Sequence, residues 1–178
     1  MSTRGNLCWI INKEMKRTFN HWDSQPSSLG IKLLYFLKRV SIKVLKDVLD
    51  NARPYPEIIT IKDLHTTDYK GEQDAFVFLE KAYRKYHLHE QVMFVPDIFE
   101  DFIYIINFDE NHFTIYQENY ENLLFNMDLE QIQQLSKNEI NKLMHKVQEK
   151  ADIYNEENYP PLKEFLSKSN NNNNNNNI

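Results

Sequence analysis

Thr3-Arg4-Gly5 and Asn20-His21-Trp22-Asp23-Ser24 place a guanidinium, an amide, an imidazole, a carboxylate and two hydroxyls within two short stretches of this chain. The arginine fork matches the shape of a carboxylate or phosphate. An imidazole titrates near neutrality, and a neighbouring carboxylate is suited to orient it. An anion anchor beside such a pair is the equipment of general acid–base chemistry. The residues therefore predict a polar pocket for a small anionic or polar ligand. Thr3, Arg4, Asn20 and Ser24 would bind the ligand, and His21 and Asp23 would handle protons in a hydrolase-type reaction. The same residue types have a second use. Asn, Asp and Ser bond their own backbone at turns, and Arg4 can latch onto Asp23. On that reading the chain is a non-catalytic binding or interaction module, and the motif is a structural brace.

Both readings need the two stretches side by side. Asn6 to Ile11 (NLCWII) is apolar and β-prone, Asn12-Lys13-Glu14 is turn-like, and Met15 to Phe19 can run back. An antiparallel hairpin sets Thr3 and Arg4 next to Asn20 and His21. A Ser- and Pro-rich loop follows, in which Ser27 or Ser28 is the expected cap of a helix. The free N–H groups and the dipole at that helix start favour an anion. Leu33, Leu37, Val40, Val44 and Val48 recur at helical steps, so one long helix is expected, ending near Asn51 before Pro54. Lys32, Arg39, Lys43 and Lys46 fall on its other side. That basic face suits either solvent or an acidic partner.

Further along, Glu57 to Lys62 reads as a short strand, and Glu72 to Tyr86 as a helix through Phe76, Leu79, Tyr83 and Tyr86. Phe102 to Phe108 (FIYIINF) and His112 to Tyr116 (HFTIY) form a second hairpin about Asp109-Glu110-Asn111. Asp128 is placed to cap a short helix, Leu129 to Leu135. Ser136 with Glu139 is a capping-box pattern, opening a last helix with Ile140, Leu143, Met144, Val147 and Ala151 on one face. The expected class is α+β: an antiparallel sheet built from two β-hairpins, at about 6–19 and 102–116, with about four helices packed against it. Residues 1–155 read as one domain. Residues 156–178 read as a polar tail whose poly-Asn tract, Asn170 to Asn177, has no apolar surface to bury and is expected to be disordered.

The segments Ser2-Thr3-Arg4-Gly5 and Phe19-Asn20-His21-Trp22-Asp23-Ser24-Gln25-Pro26-Ser27-Ser28-Leu29-Gly30 resemble the opening of a family of small proteins of unknown function from bacteria, phages, large DNA viruses and fungi. Family openings run (Gly/Ser)-Thr-Arg-Gly, then Tyr-Asn-His-aromatic-Asp-Ser-Tyr-Pro-x-Gly-Leu-Gly. This chain departs from them at Phe19, Gln25 and Ser28. Tyr104 to Tyr116 is similar to the family's downstream Tyr-x-Ile-Asp-Leu-Asp hairpin. The resemblance covers about a sixth of the chain and implies a shared site without naming a reaction. A looser analogy is to N-terminal-nucleophile hydrolases, where removal of Met1 would expose Ser2, with Thr3 next, and put a hydroxyl beside a free amine.

Composition narrows the classes. The chain has 178 residues and a net charge of −5, which argues against a general nucleic-acid binder. The charge is uneven: residues 1–50 carry nine Lys and Arg against four Asp and Glu. Cys8 is the single cysteine, so no internal disulfide forms, which fits a reducing compartment: the cytoplasm, or a host cytoplasm for a viral source. Cys8 itself reads as a small core residue. No apolar run reaches membrane-span length. With three glycines and no Walker or Rossmann pattern, no nucleotide cofactor is expected. His87 and His89 with Glu90 have two-ligand zinc spacing, but a solvated helix end accounts for them as well, and no metal is assigned. Phe94, Phe99, Phe102, Tyr104, Phe108, Phe113 and Tyr116 read as core; they alternate in part, which suits one buried sheet face, and some of the rings are placed to line a groove.

Overall fold

The computed structural model describes residues 3–20, 22–54, 74–85, 93–94, 101–118 and 120–158. Its class is mixed α and β, with a five-stranded sheet and five α-helices among those residues. The strands are β1 (Gly5–Ile11), β2 (Glu14–Asn20), β5 (Phe102–Asn107), β6 (His112–Gln117) and β7 (Asn122–Asp128), with two-residue strands β3 (Arg53–Pro54) and β4 (Met93–Phe94) forming a separate parallel pair. The helices are α1 (Ile31–Arg39), α2 (Ile42–Asp50), α3 (Ala75–Lys85), α4 (Leu129–Gln134) and α5 (Lys137–Asn158).

Both expected hairpins form, but they do not make an antiparallel sheet. The strand order is β2-β1-β5-β6-β7, and β1 runs parallel to β5, from Gly5 beside Phe102 to Ile10 beside Asn107. The sheet is therefore mixed, and β7 adds a third strand to the second hairpin. Burial explains the seam. A strand covered on both faces reads as a continuous apolar run, whereas one wetted on a face alternates. β1 and β5 are buried at nearly every position, while β6 alternates buried and half-buried residues. The two continuous runs take the centre together.

Two aspartates clamp that parallel seam. At one end, Asp101 accepts the Arg4 N–H at 2.8 Å, and the Arg4 carbonyl accepts the N–H groups of Asp101 and Phe102. At the other, Asp109 accepts the N–H groups of Asn12 and Lys13 at 2.9 and 2.7 Å. Asn12 and Lys13 both have positive φ, as a tight two-residue hairpin turn requires. A cleft of about 630 Å³ lies between the two turns. Its carboxylates are engaged by the chain: Asp109 as above, and Glu110 by the Asn107 amide.

The single long helix expected from Leu33 to Val48 is two helices. Val40 is extended, and the Ser41 hydroxyl accepts the Val44 N–H to start α2 afresh. The break rotates the buried face, so Leu45, Val48 and Leu49 are buried and Val44 is only half-buried. Ser27 and Ser28 do not cap α1. They lie inside a π-helical segment, Pro26–Gly30, that runs straight into it, and Ser27 donates to Gln148 of α5. Asp128 precedes α4 without a side-chain capping bond. The Ser136–Glu139 capping box does form, with reciprocal bonds of 2.7 and 3.2 Å.

One core lies between the sheet and the helices. Leu7, Trp9 and Ile11 of β1 and Tyr104 and Ile106 of β5 meet Leu33, Leu37, Leu79, Ile140 and Met144 there. Full burial of each such side chain stabilises by about 1.5–3 kcal/mol. Cys8 packs with Ile103 and Ile105 in a second, smaller cluster. Among the described residues no helix is long and apolar enough to cross a membrane. The strand expected at Glu57–Lys62, the histidines His65, His87 and His89, and the tail from residue 159 lie outside the described residues.

Candidate functional site

The N-terminal stretches do converge. Gly5 pairs with Asn20 across the hairpin, and the chain then turns so that the Ser24 N–H bonds the Thr3 carbonyl at 3.3 Å. Gly5 is required here by space. A Cβ on it would lie 2.8 Å from both the Phe102 carbonyl oxygen and the Ser24 Cβ. The glycine of the Thr-Arg-Gly sequence therefore lets the turn close against the seam.

Asn20 is the centre of the convergence and is only 1% exposed. Its amide nitrogen donates to the Trp22 carbonyl at 2.7 Å and to Ser24 Oγ at 2.8 Å. Its side-chain oxygen accepts the Ala75 N–H at 2.9 Å, at the first residue of α3. An amide offers two donors and one carbonyl oxygen, and here all three groups are engaged by the chain itself. Ser24 is fully buried, and its hydroxyl lies 2.9 Å from the Trp22 carbonyl it donates to. The Ser24 carbonyl accepts the hydroxyl of buried Tyr104 at 2.5 Å. Burial first, and then the Asp23 carboxylate, push the Tyr104 hydroxyl well above its ordinary pKa, so it acts as a neutral donor.

Thr3, Arg4 and Asp23 lie at the rim. Asp23 is exposed and accepts from the Thr3 hydroxyl and the Gln25 N–H, both at 3.2 Å. The second bond is the local Asx geometry of a turn. The expected latch between Arg4 and Asp23 is not made; Thr3 takes that place. The Arg4 side chain is exposed and pairs with no carboxylate among the described residues. His21, Met1 and Ser2 lie outside the described residues. Trp22 is 56% exposed.

The site and the far end of its seam contain residues whose roles the sequence does not announce. Asp101 stands immediately before the strongest β run, and Asp109 in a turn after it; each reads as ordinary loop polarity. Tyr104 reads as one more core aromatic, although a phenol in a core needs a partner. Asp74 caps α3 by accepting the Phe76 and Val77 N–H groups at 2.9 and 3.1 Å, beside the bond from Asn20 to Ala75. Among the described residues no group of His, Cys, Asp and Glu is arranged to hold a metal ion. His112 stands 3.4 Å from Asp128 across β6 and β7.

Comparison of the chain with protein-family models, with curated proteins and with solved structures finds no match.

Proposed function

We propose that the chain is a non-catalytic binding module and that its N-terminal motif is an internal brace joining the first hairpin, the second hairpin and α3. The observation that carries this reading is Asn20: buried, with its amide nitrogen and its oxygen all bonded to the chain's own atoms. A ligand would have to displace those bonds, and a buried polar group left unpaired costs about 1–3 kcal/mol. Ser24 is committed in the same way. The resemblance of this stretch to a wider family fits a shared architectural device as readily as a shared active site.

A second reading keeps a small-anion site at the rim, with Arg4 as its anchor and His21 and Asp23 moving protons. The exposed Arg4 guanidinium favours it. Two variants of the full chain separate the readings. On the brace reading Asn20→Ala lowers the Tm by several degrees, while Arg4→Ala leaves both the Tm and the weak binding of inorganic phosphate unchanged. An Asn20→Ala protein that melts like the parent, or an Arg4→Ala protein that alone loses phosphate binding, overturns the brace in favour of the rim site.

A further inference from the structure

We propose that the groove on the outer face of α1, between α3 and the start of α5, binds a small organic anion that joins a flat apolar body to a phosphate or carboxylate head. This deepens the reading of the chain as a binding module and rests on it. The groove is lined by Lys32, Tyr35, Lys38, Arg39, Phe76 and Lys137 and encloses about 210 Å³. A cavity of about 150 Å³ accepts benzene, so there is room for one ring and a charged head.

Its apolar walls are held in place. Phe76 stands edge-on to Phe36, with ring centroids 6.3 Å apart. The Tyr35 hydroxyl donates to Asn141 Oδ1 at 2.8 Å and lies 3.3 Å from the Lys137 carbonyl, which fixes its ring against α5. Preformed walls reduce the ordering cost of binding.

The cations exceed the anions that face them. Lys38 spends one proton on the Gln133 carbonyl and keeps the others. Arg39 bonds the Tyr35 carbonyl through Nε and lies 3.9 Å from Glu80, which Arg84 shares at 3.7 Å. Lys32 and Lys137 form no ion pair among the described residues. Glu139 accepts the Ser136 N–H in the capping box and faces Lys38 electrostatically, so Glu80 and Glu139 stand against the four lining cations. Four cations around an apolar floor, in a chain of net charge −5, form a local positive field that selects a small anion. The enclosed volume is too small for a nucleic-acid strand. Among the described residues the lining holds no carboxylate or imidazole.

The brace and the groove are linked through one turn of helix. Asn20 and Asp74 hold the N–H groups of Ala75 and Phe76, and Phe76 is the groove's floor.

Isothermal titration of the full chain with phenyl phosphate at low salt tests the proposal. Inorganic phosphate and benzyl alcohol serve as the two half-ligands. Saturable one-to-one binding of phenyl phosphate is expected, with each half-ligand at least about tenfold weaker. The double variant K32E/K137E changes two exposed side chains, so it should keep the parent Tm and weaken phenyl phosphate at least about tenfold. Arg4→Ala should leave this binding intact. Absence of saturable binding, or binding that survives K32E/K137E, overturns the proposal. Equal affinity for inorganic phosphate overturns the apolar half of it. These outcomes are independent of the Asn20→Ala melting result, so a failed groove and a failed brace are told apart.

Discussion

The side-chain oxygen of Asn20 accepts the backbone N–H of Ala75 at 2.9 Å, across 55 positions of sequence. That bond ties the end of β2 to the start of α3, which carries Phe78 and Leu79 into the core and Phe76 to the surface groove. Replacement by the isosteric Asn20→Asp keeps this acceptor but turns lone pairs toward the Trp22 carbonyl and Ser24. The buried charge and the lost donors should cost at least about 2 kcal/mol at neutral pH. For a chain of this size that is a fall in Tm of about 4–8 °C. Thermal unfolding followed by circular dichroism reads it directly, and an unchanged Tm would contradict the buried, fully bonded placement.

Tyr104 holds the other side of the same turn. Tyr104→Phe preserves the ring but leaves the buried Ser24 carbonyl without its hydroxyl donor. A loss of about 1–3 kcal/mol is expected, seen as a lower urea midpoint with an unaltered slope. A Phe variant as stable as the parent would mean that the hydroxyl contributes nothing to the turn.

Gly5→Ala should be among the more damaging small substitutions in the chain. Its new methyl meets backbone at Phe102 as well as the Ser24 side chain, so rotamer adjustment cannot relieve it. Overpacking of this kind costs about 1–3 kcal/mol. Gly30→Ala is the control. There the nearest atom is the sulfur of flexible Met144, at 2.9 Å, which can move. A Gly30 variant that loses more stability than the Gly5 variant would refute the close approach of the turn to the seam.

Asp109 gives a pH dependence with a definite sign. The Lys13 and then the Asn12 backbone N–H groups hold its carboxyl below the usual aspartate value. A depressed folded pKa contributes stability that is fully present above the unfolded value of about 3.9 and is lost as pH falls through the folded value. The parent should therefore lose stability below about pH 4, as the turn-to-turn clamp protonates. Asp109→Asn should be less stable than the parent at pH 7 and show a smaller further loss on acidification. Urea midpoints measured from pH 7 to pH 3 check both parts. Parallel profiles for the two proteins would remove Asp109 from the clamp.

Much of the local structure was readable before any coordinates. Turn residues at Asn12-Lys13 and Asp109 to Asn111 located both hairpins, and three- and four-residue apolar steps located α3 and α5. The capping box at Ser136 and Glu139 needed only its own four residues, so it formed as written. The long helix did not, because apolar spacing across Val40 and Ser41 cannot reveal that Ser41 is better used as a cap. The candidate site was half readable: hairpin geometry brings Thr3 and Asn20 together whatever lies around them.

Short-range chemistry alone decided the two hairpin turns and the Ser136–Glu139 capping box, because each depends on residues within a few positions of one another. The tertiary structure decided the parallel seam between β1 and β5, the partner of Asn20, and the meeting of α1, α3 and α5 around a cationic groove. Those depend on which distant apolar surfaces bury each other best, and that choice is made by the whole core at once.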